Sequence, residues 1–198
     1  MSRTAAPREA YHHGDLRSAL LDTGLRLLRS RTADDLSLRE LAREVGVSAA
    51  AIYRHFPDKG ALMAALAREG LERLATAQRQ ATRAAGGGGA GFLASGMAYV
   101  RFAVDNPALF RLMFSAAQAS DPLDAASDSV PSAMRALRQD IEALVPGGAS
   151  AAERKAAALH AWSLVHGLAQ LVLDHQIPAD WRLIERVLSR SSPGQAQA

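Results

Sequence analysis

The chain has 198 residues, 48% hydrophobic, 22% charged and 5% aromatic, the composition of a folded globular protein of one large or two modest domains. With 23 Lys and Arg against 20 Asp and Glu, a formal charge of +3 does not by itself announce a nucleic-acid partner, and the absence of cysteine excludes disulfide scaffolding, thiol catalysis and Cys-ligated zinc. No apolar run approaches the roughly 18 residues of a membrane-spanning helix, and Met1 to Pro7 lack the apolar core of a secretory leader, so a cytoplasmic protein is expected.

Residues 1–10 are small and polar and read as a disordered arm. A helical pattern begins at Gly14: Asp15 can cap it, and Leu16, Leu20, Leu21, Leu25 and Leu28 recur at spacings of three and four until Ser30. Ser37 with Glu40 three residues on forms a capping box for a second helix, whose apolar positions are Leu38, Leu41, Ala42 and Val45 and which Gly46 breaks. Ser48 caps a short third helix carrying Ala51, Ile52 and Phe56 inward and stopping at Pro57. Asp58 caps a fourth, with Leu62, Met63, Leu66, Leu71 and Leu74 on one stripe; it ends before Gly86-Gly87-Gly88-Gly89, expected to be a flexible connection.

A fifth helix is predicted from Phe92 to Asn106, and Pro107 restarts the chain into a sixth through Phe114. Residues 118–131 are rich in Ser, Asp and Pro, which predicts a mobile loop and a candidate cavity entrance. Pro131 to Leu144 is amphipathic, with Met134, Leu137, Ile141 and Leu144 on its apolar stripe. Pro146-Gly147-Gly148 separates it from a long apolar helix, Ala151 to about His175, and a last short helix after Pro178 turns Trp181, Ile184 and Leu188 inward. The tail from Ser191 reads as disordered. With no sustained period-2 stretch, the fold class is all-α, of about nine helices.

Residues 38–57 carry a specific signal. Two short helices joined at a glycine, the first holding a small residue where the second crosses it, fit a helix-turn-helix. Ala42 permits the close crossing, Gly46 supplies a left-handed turn, and Val45, Val47 and Ile52 are the expected buried positions. A helix opening Ser48-Ala49-Ala50 has little bulk at its N-terminal end and can approach a groove floor, while Tyr53, Arg54 and His55 can reach phosphates. Lys59 sits in the first turn of the next helix, where the helix dipole disfavours a cation unless an anion lies nearby.

The run Leu38-Arg39-Glu40-Leu41-Ala42-Arg43-Glu44-Val45-Gly46-Val47-Ser48, followed by Ile52-Tyr53-Arg54-His55-Phe56-Pro57-Asp58-Lys59-Gly60-Ala61-Leu62, resembles the signature of the TetR family of transcriptional regulators, and the likeness covers residues 11–75. Tyr11 to Arg17, Asn106 to Phe114, and Trp162 with His166-Gly167 resemble the members named for a WHG motif. The resemblance implies a homodimer with a three-helix domain on a palindromic operator and a larger helical domain that dimerises and binds a small effector. On this chain it implies phosphate contacts from Tyr53, Lys59 and Ser37, a place near the backbone for His55, and guanine reading by Arg39. Ala49, Ala50 and Ala51 depart from relatives that carry hydrogen-bonding side chains there, so base reading is left to thymine methyls, Arg39, Arg54 and DNA shape.

The expected division is a helix-turn-helix domain over 11–57, a connecting helix over 58–85 and an effector-binding and dimerisation domain over 86–190. Candidate pocket residues are Met97, Tyr99, Phe102, Phe110, Met113, Phe114, Trp162 and His166, each equally readable as core from its helical spacing. Trp162 and His166 share a face at i,i+4, and Gly167 in mid-helix suggests close approach of another helix. Leu164, Val165, Leu168, Leu171 and Val172 make the long helix apolar on several sides; with Gly167, Trp181, Ile184 and Leu188 they form the candidate dimer face.

No metal and no cofactor is expected: HExxH and GxxxxGK[ST] are absent, and His160 and His166 are six apart, wrong for two ligands on one helix face. A DNA-binding regulator is therefore expected rather than an enzyme, most simply a repressor released by a hydrophobic effector. The alternatives are a ligand-responsive activator and a helical interaction module without DNA binding.

Overall fold

The computed structural model describes residues 16–115, 123 and 132–190. The N-terminal arm with Tyr11 to Asp15, the loop expected over 118–131 (Leu123 apart) and the tail from Ser191 lie outside them. Among the described residues there are nine α-helices and no strand. The chain divides between Ala65 and Leu66 into two compact units.

The first unit holds α1 (Leu16–Leu27), α2 (Leu38–Val45), α3 (Ala49–Tyr53) and the opening turns of α4 (Lys59–Ala84). Leu20, Leu41, Ile52 and Leu62, one from each helix, are fully buried with Leu36 and Phe56. Arg17 lays its guanidinium over the Phe56 ring at 5.4 Å. Gly46 closes α2 in the left-handed region at φ 79°. Its N–H donates to the Arg43 carbonyl at 3.2 Å, and the Val47 N–H donates to that of Ala42 at 2.8 Å, a Schellman closure. Val45 and Val47 are half-buried rather than buried, so the crossing rests on Ala42, Ala51 and Ile52.

The capping box expected at Ser37 forms only by half. Ser37 Oγ accepts from the Glu40 N–H at 3.2 Å, but the Glu40 carboxylate turns to Arg31, because a charged partner outweighs a backbone N–H. A complete box stands instead at α8, where Ser150 Oγ accepts from the Glu153 N–H and the Glu153 carboxylate accepts from the Ser150 N–H at 2.6 Å.

In the second unit α4 continues to Ala84, and α5 (Gly88–Asp105) lies against α6 (Pro107–Ser115), α7 (Ser132–Leu144), α8 (Ala151–Leu173) and α9 (Trp181–Arg190). The glycine run is a tight reversal rather than a loose connection: Gly86, Gly87 and Gly88 all have positive φ, and α5 starts four residues ahead of the Phe92 expected from apolar spacing. At Gly70 a Cβ would fall 2.8 Å from Met113 Sδ and 2.9 Å from Leu109 Cδ1, so a larger residue there would make those two side-chain ends of α6 shift. Met97, Val100, Leu168, Val172, Ile184 and Leu188 form one core cluster.

One sequence expectation needs correcting at α8. Its 23 residues are long and apolar enough, by length and composition, to cross a membrane, because interspersed small residues extend the apolar stretch; only 28% of the stretch is buried within the chain.

Candidate nucleic-acid interface and effector cavity

In the first unit, local capping decides what the short third helix can present. Ser48 is its N-cap, with Oγ accepting from the Ala51 N–H at 3.2 Å, so α3 starts with Ala49 and Ala50 exposed and Ala51 and Ile52 inward. One turn later Tyr53 is 45% exposed, a large ring with no core role. Arg54 caps the C-terminal end in solvent, and His55 is half-buried. Ser37 caps α2 through its oxygen, which leaves its O–H free to donate. Arg39, two residues on, is exposed.

Lys59 differs from the unpaid cation that its position at a helix start suggested. Its Nζ donates to the Asp34 carbonyl at 2.6 Å, tying the start of α4 to the loop before α2. The acids nearby are also engaged: Glu44 pairs with Arg26 at 3.0 Å, Glu40 pairs with Arg31, and Thr32 holds the Asp35 carboxyl below the usual carboxylate range through its hydroxyl and N–H. Arg39 and Arg54 form no ion pair with any described residue. Local pairing therefore leaves cationic side chains uncompensated around Tyr53, which net charge could not reveal.

In the second unit, Tyr99 and Trp162 border a cavity with Phe92, Leu93, Met134 and Leu137, about 560 Å³ of space unfilled by atoms, mouth included. Of that space about 50 Å³ is cavity in the sense used for protein interiors, the rest being mouth and bordering solvent. Among the described residues its polar groups are Gln78, Ser95, Tyr99 and Trp162, and no charged side chain lines it. Tyr99 Oη lies 2.9 Å from His166 Nδ1. Burial pushes the phenol well above its ordinary value and the imidazole below its own, so a neutral Tyr99 and a neutral His166 share this hydrogen bond, with the imidazole tautomer setting which one donates. The Trp162 N–H is the donor that pulls the Tyr99 pKa the other way, although their contact falls short of full hydrogen-bond geometry.

The eight expected pocket residues separate into four places. Tyr99 and Trp162 line the cavity. Phe110, Phe114 and His166 stand behind them: Phe110 meets Tyr99 edge-on at 5.7 Å and His166 at 5.5 Å, and Phe114 meets His166 at 4.8 Å. Met97 and Phe102 face an open, alanine-rich hollow with Ala77, Ala81 and Arg101, and Met113 packs against Gly70. Sequence reasoning missed Gln78 and Ser95. Both were visible as polar residues on apolar stripes, Gln78 after Leu71, Leu74 and Ala75, and Ser95 between Phe92 and Tyr99.

The expected dimer face is also redistributed. Leu168, Val172, Ile184 and Leu188 are buried in the chain's own core, with Leu164, Val165 and Trp181 half-buried against it. Leu171 is 43% exposed, and a Cβ on Gly167 would meet nothing within 4 Å, so no helix among the described residues comes close to that Cβ position. Leu159 and Leu183 are exposed as well.

Residues 20–66 match the family described as "Bacterial regulatory proteins, tetR family". Residues 92–190 match "Tetracyclin repressor-like, C-terminal domain". The chain belongs to the TetR family. A solved protein of unknown function from Rhodococcus sp. RHA1 is 31% identical, superposes with a TM-score of 0.74, and the match covers 94% of this chain and 100% of that one. A tetR-family transcriptional regulator from Streptomyces coelicolor shares the fold at 21% identity and a TM-score of 0.59, over 88% of this chain and 78% of its own. The protein is thus a DNA-binding transcriptional regulator of the TetR family, a family whose members dimerise, and not an enzyme.

Proposed function

We infer that this TetR-family regulator is a cytoplasmic homodimeric repressor that leaves a palindromic operator when a small, mostly apolar effector fills the cavity beside Tyr99 and Trp162. The observation that carries the reading is the continuity of α4. One unbroken helix begins at Lys59 among the DNA-binding helices and later supplies Gln78 to the cavity wall. A ligand that holds Gln78 acts on the helix whose first turns belong to the DNA-binding unit.

In this reading Ser48, Ala49 and Ala50 enter the major groove, and Tyr53, Lys59, His55 and the Ser37 hydroxyl hold phosphates. Arg39 and Arg54 read base edges, and the three alanines leave the rest to DNA shape. Residues 11–57 are the DNA-binding domain, 58–85 the connecting helix and 86–190 the effector and dimer domain. The α8–α9 face around Gly167, Leu171, Leu159 and Leu183, with Leu164 and Val165 at its edge, meets the second copy. A dimer places its recognition helices about 34–36 Å apart, one DNA turn, or a multiple of it. An effector that favours another spacing releases DNA, and by linkage DNA weakens the effector equally.

The test is fluorescence anisotropy on DNA from upstream of the protein's own gene, across a salt series, with random-sequence selection if that DNA fails. Three or four phosphate contacts per subunit predict a log–log slope of about −5 to −7. The double variant Tyr53→Ala, Lys59→Met should lose most affinity with little change in helix content. Selection that recovers no preferred DNA would overturn the reading.

A further inference from the structure

Two polar atoms in the walls of this cavity lack a fully formed hydrogen bond, Gln78 Oε1, which has none, and Trp162 Nε1, which has only a loose contact with the Tyr99 oxygen. They belong to different helices, α4 and α8, and both residues line the same space. Leaving a buried donor or acceptor unpaired is costly, and native structures hold few such groups. Each has a fixed chemistry. The indole N–H only donates, so it calls for an oxygen. The Gln78 amide has one end taken: its Nε2 donates to Ser95 Oγ at 3.2 Å, and the other end is left for a ligand. A hydroxyl can serve either end of an amide, so a ligand that offers both N–H and C=O answers Gln78 in either orientation.

The cavity walls are otherwise apolar and aromatic, and among the described residues no Lys, Arg, Asp or Glu lines them. A full charge brought inside would lose its hydration with nothing opposite to compensate it. The nearest titratable groups do not supply one: Tyr99 keeps its proton because burial raises its pKa, and His166 is held neutral by burial behind it.

We propose that the Gln78–Trp162 pair is the polar recognition point of this cavity and selects an uncharged, largely apolar ligand bearing one group that both donates and accepts, a carboxamide or its equivalent, over carboxylates and amines of the same shape. This rests on the effector reading of the same cavity and adds the chemical class. Because Gln78 lies on α4, the polar group of the ligand, rather than its apolar body, grips the helix that also serves the DNA-binding unit.

Four compounds of nearly one shape test it on the full chain: phenylacetamide, phenylacetate, 2-phenylethylammonium and ethylbenzene, with binding measured by calorimetry. Phenylacetamide is expected to bind at least about tenfold more tightly than either ion, given the cost of an uncompensated buried charge. Trp162→Phe, which keeps an aromatic ring and removes the N–H, and Gln78→Leu should each weaken phenylacetamide about five- to tenfold while leaving ethylbenzene unchanged or tighter. Two different variants guard against a folding defect in either, and the thermal midpoint of each is checked. Equal binding of ethylbenzene and phenylacetamide, with both variants unaffected, would overturn the polar-pair assignment and leave an apolar effector cavity standing. Tightest binding by an ion, or no binding by any of the four, overturns it as well. Failure of the regulator reading shows separately, as absence of operator binding.

Discussion

At single residues, the decisive property is whether a partner already exists inside the chain. Arg39 and Arg54 are exposed and form no ion pair with a described residue, whereas Lys59, equally cationic, is tied to the Asp34 carbonyl. Lys59 therefore holds the loop before α2 as well as any phosphate it meets. His166 is the residue most open to a pH test. Its ring is desolvated beside Tyr99, so its folded pKa lies below the ordinary 6.5. Below pH 6.5 the unfolded chain takes up a proton that the native ring resists. The stability from neutral His166 is thus complete above pH 6.5 and is lost as pH falls from there through the lowered value. The thermal midpoint should drop more steeply between pH 7 and 5 in the wild type than in His166→Gln. Parallel curves would remove His166 from the stability balance.

At the level of elements, caps and turns fix what each helix can show. Ser48 starts α3 one residue before Ala49, which sets Tyr53 outward and Ile52 inward; a start shifted by one position would bury the ring. Gly46 holds the α2–α3 reversal at φ 79°, and an added Cβ there would meet nothing within 4 Å. Its substitution isolates backbone strain from crowding. Gly46→Ala should cost about 1–2 kcal/mol, the left-handed penalty of an L-residue, measured by urea denaturation with an unchanged m-value. A neutral result would mean that the turn relaxes to another conformation, and DNA affinity should then fall although stability does not.

For the whole molecule, the open question is what covers α8. Its stretch is apolar enough to span a membrane, yet only 28% of it is buried in one chain, and Leu159 and Leu171 on α8 and Leu183 on α9 are exposed. Several large apolar side chains left exposed mark a contact surface. Leu171→Glu should convert the dimer to a monomer in light scattering, with helix content retained because the core cluster around Leu168 and Val172 is untouched. DNA binding should fall with it, since half-site recognition needs two copies. A dimer that survives Leu171→Glu with unchanged affinity would place the interface elsewhere.

The helix-turn-helix was legible in the sequence because its signals are local. A serine cap, a small residue at the crossing and a left-handed glycine act within a few residues of themselves, and each recurs in the structure with the hydrogen bonds expected of it. The all-α class and most helix ends followed from spacing in the same way, and the fold agrees. Where local signals competed with a partner from another element, the sequence pointed elsewhere: Glu40 left its capping box for Arg31, and Lys59 found the Asp34 carbonyl. The second unit was harder for a related reason. Met97, Tyr99, Leu168 and Leu171 look alike as apolar residues at helical spacing, and only the packing of α5 against α8 and α9 separates core from cavity wall and open face. Apolar periodicity says that a side is buried; which neighbour buries it depends on long-range contacts that no short window of residues contains. Gln78 and Trp162 meet one cavity across 84 positions of sequence, a convergence that belongs to the folded chain alone.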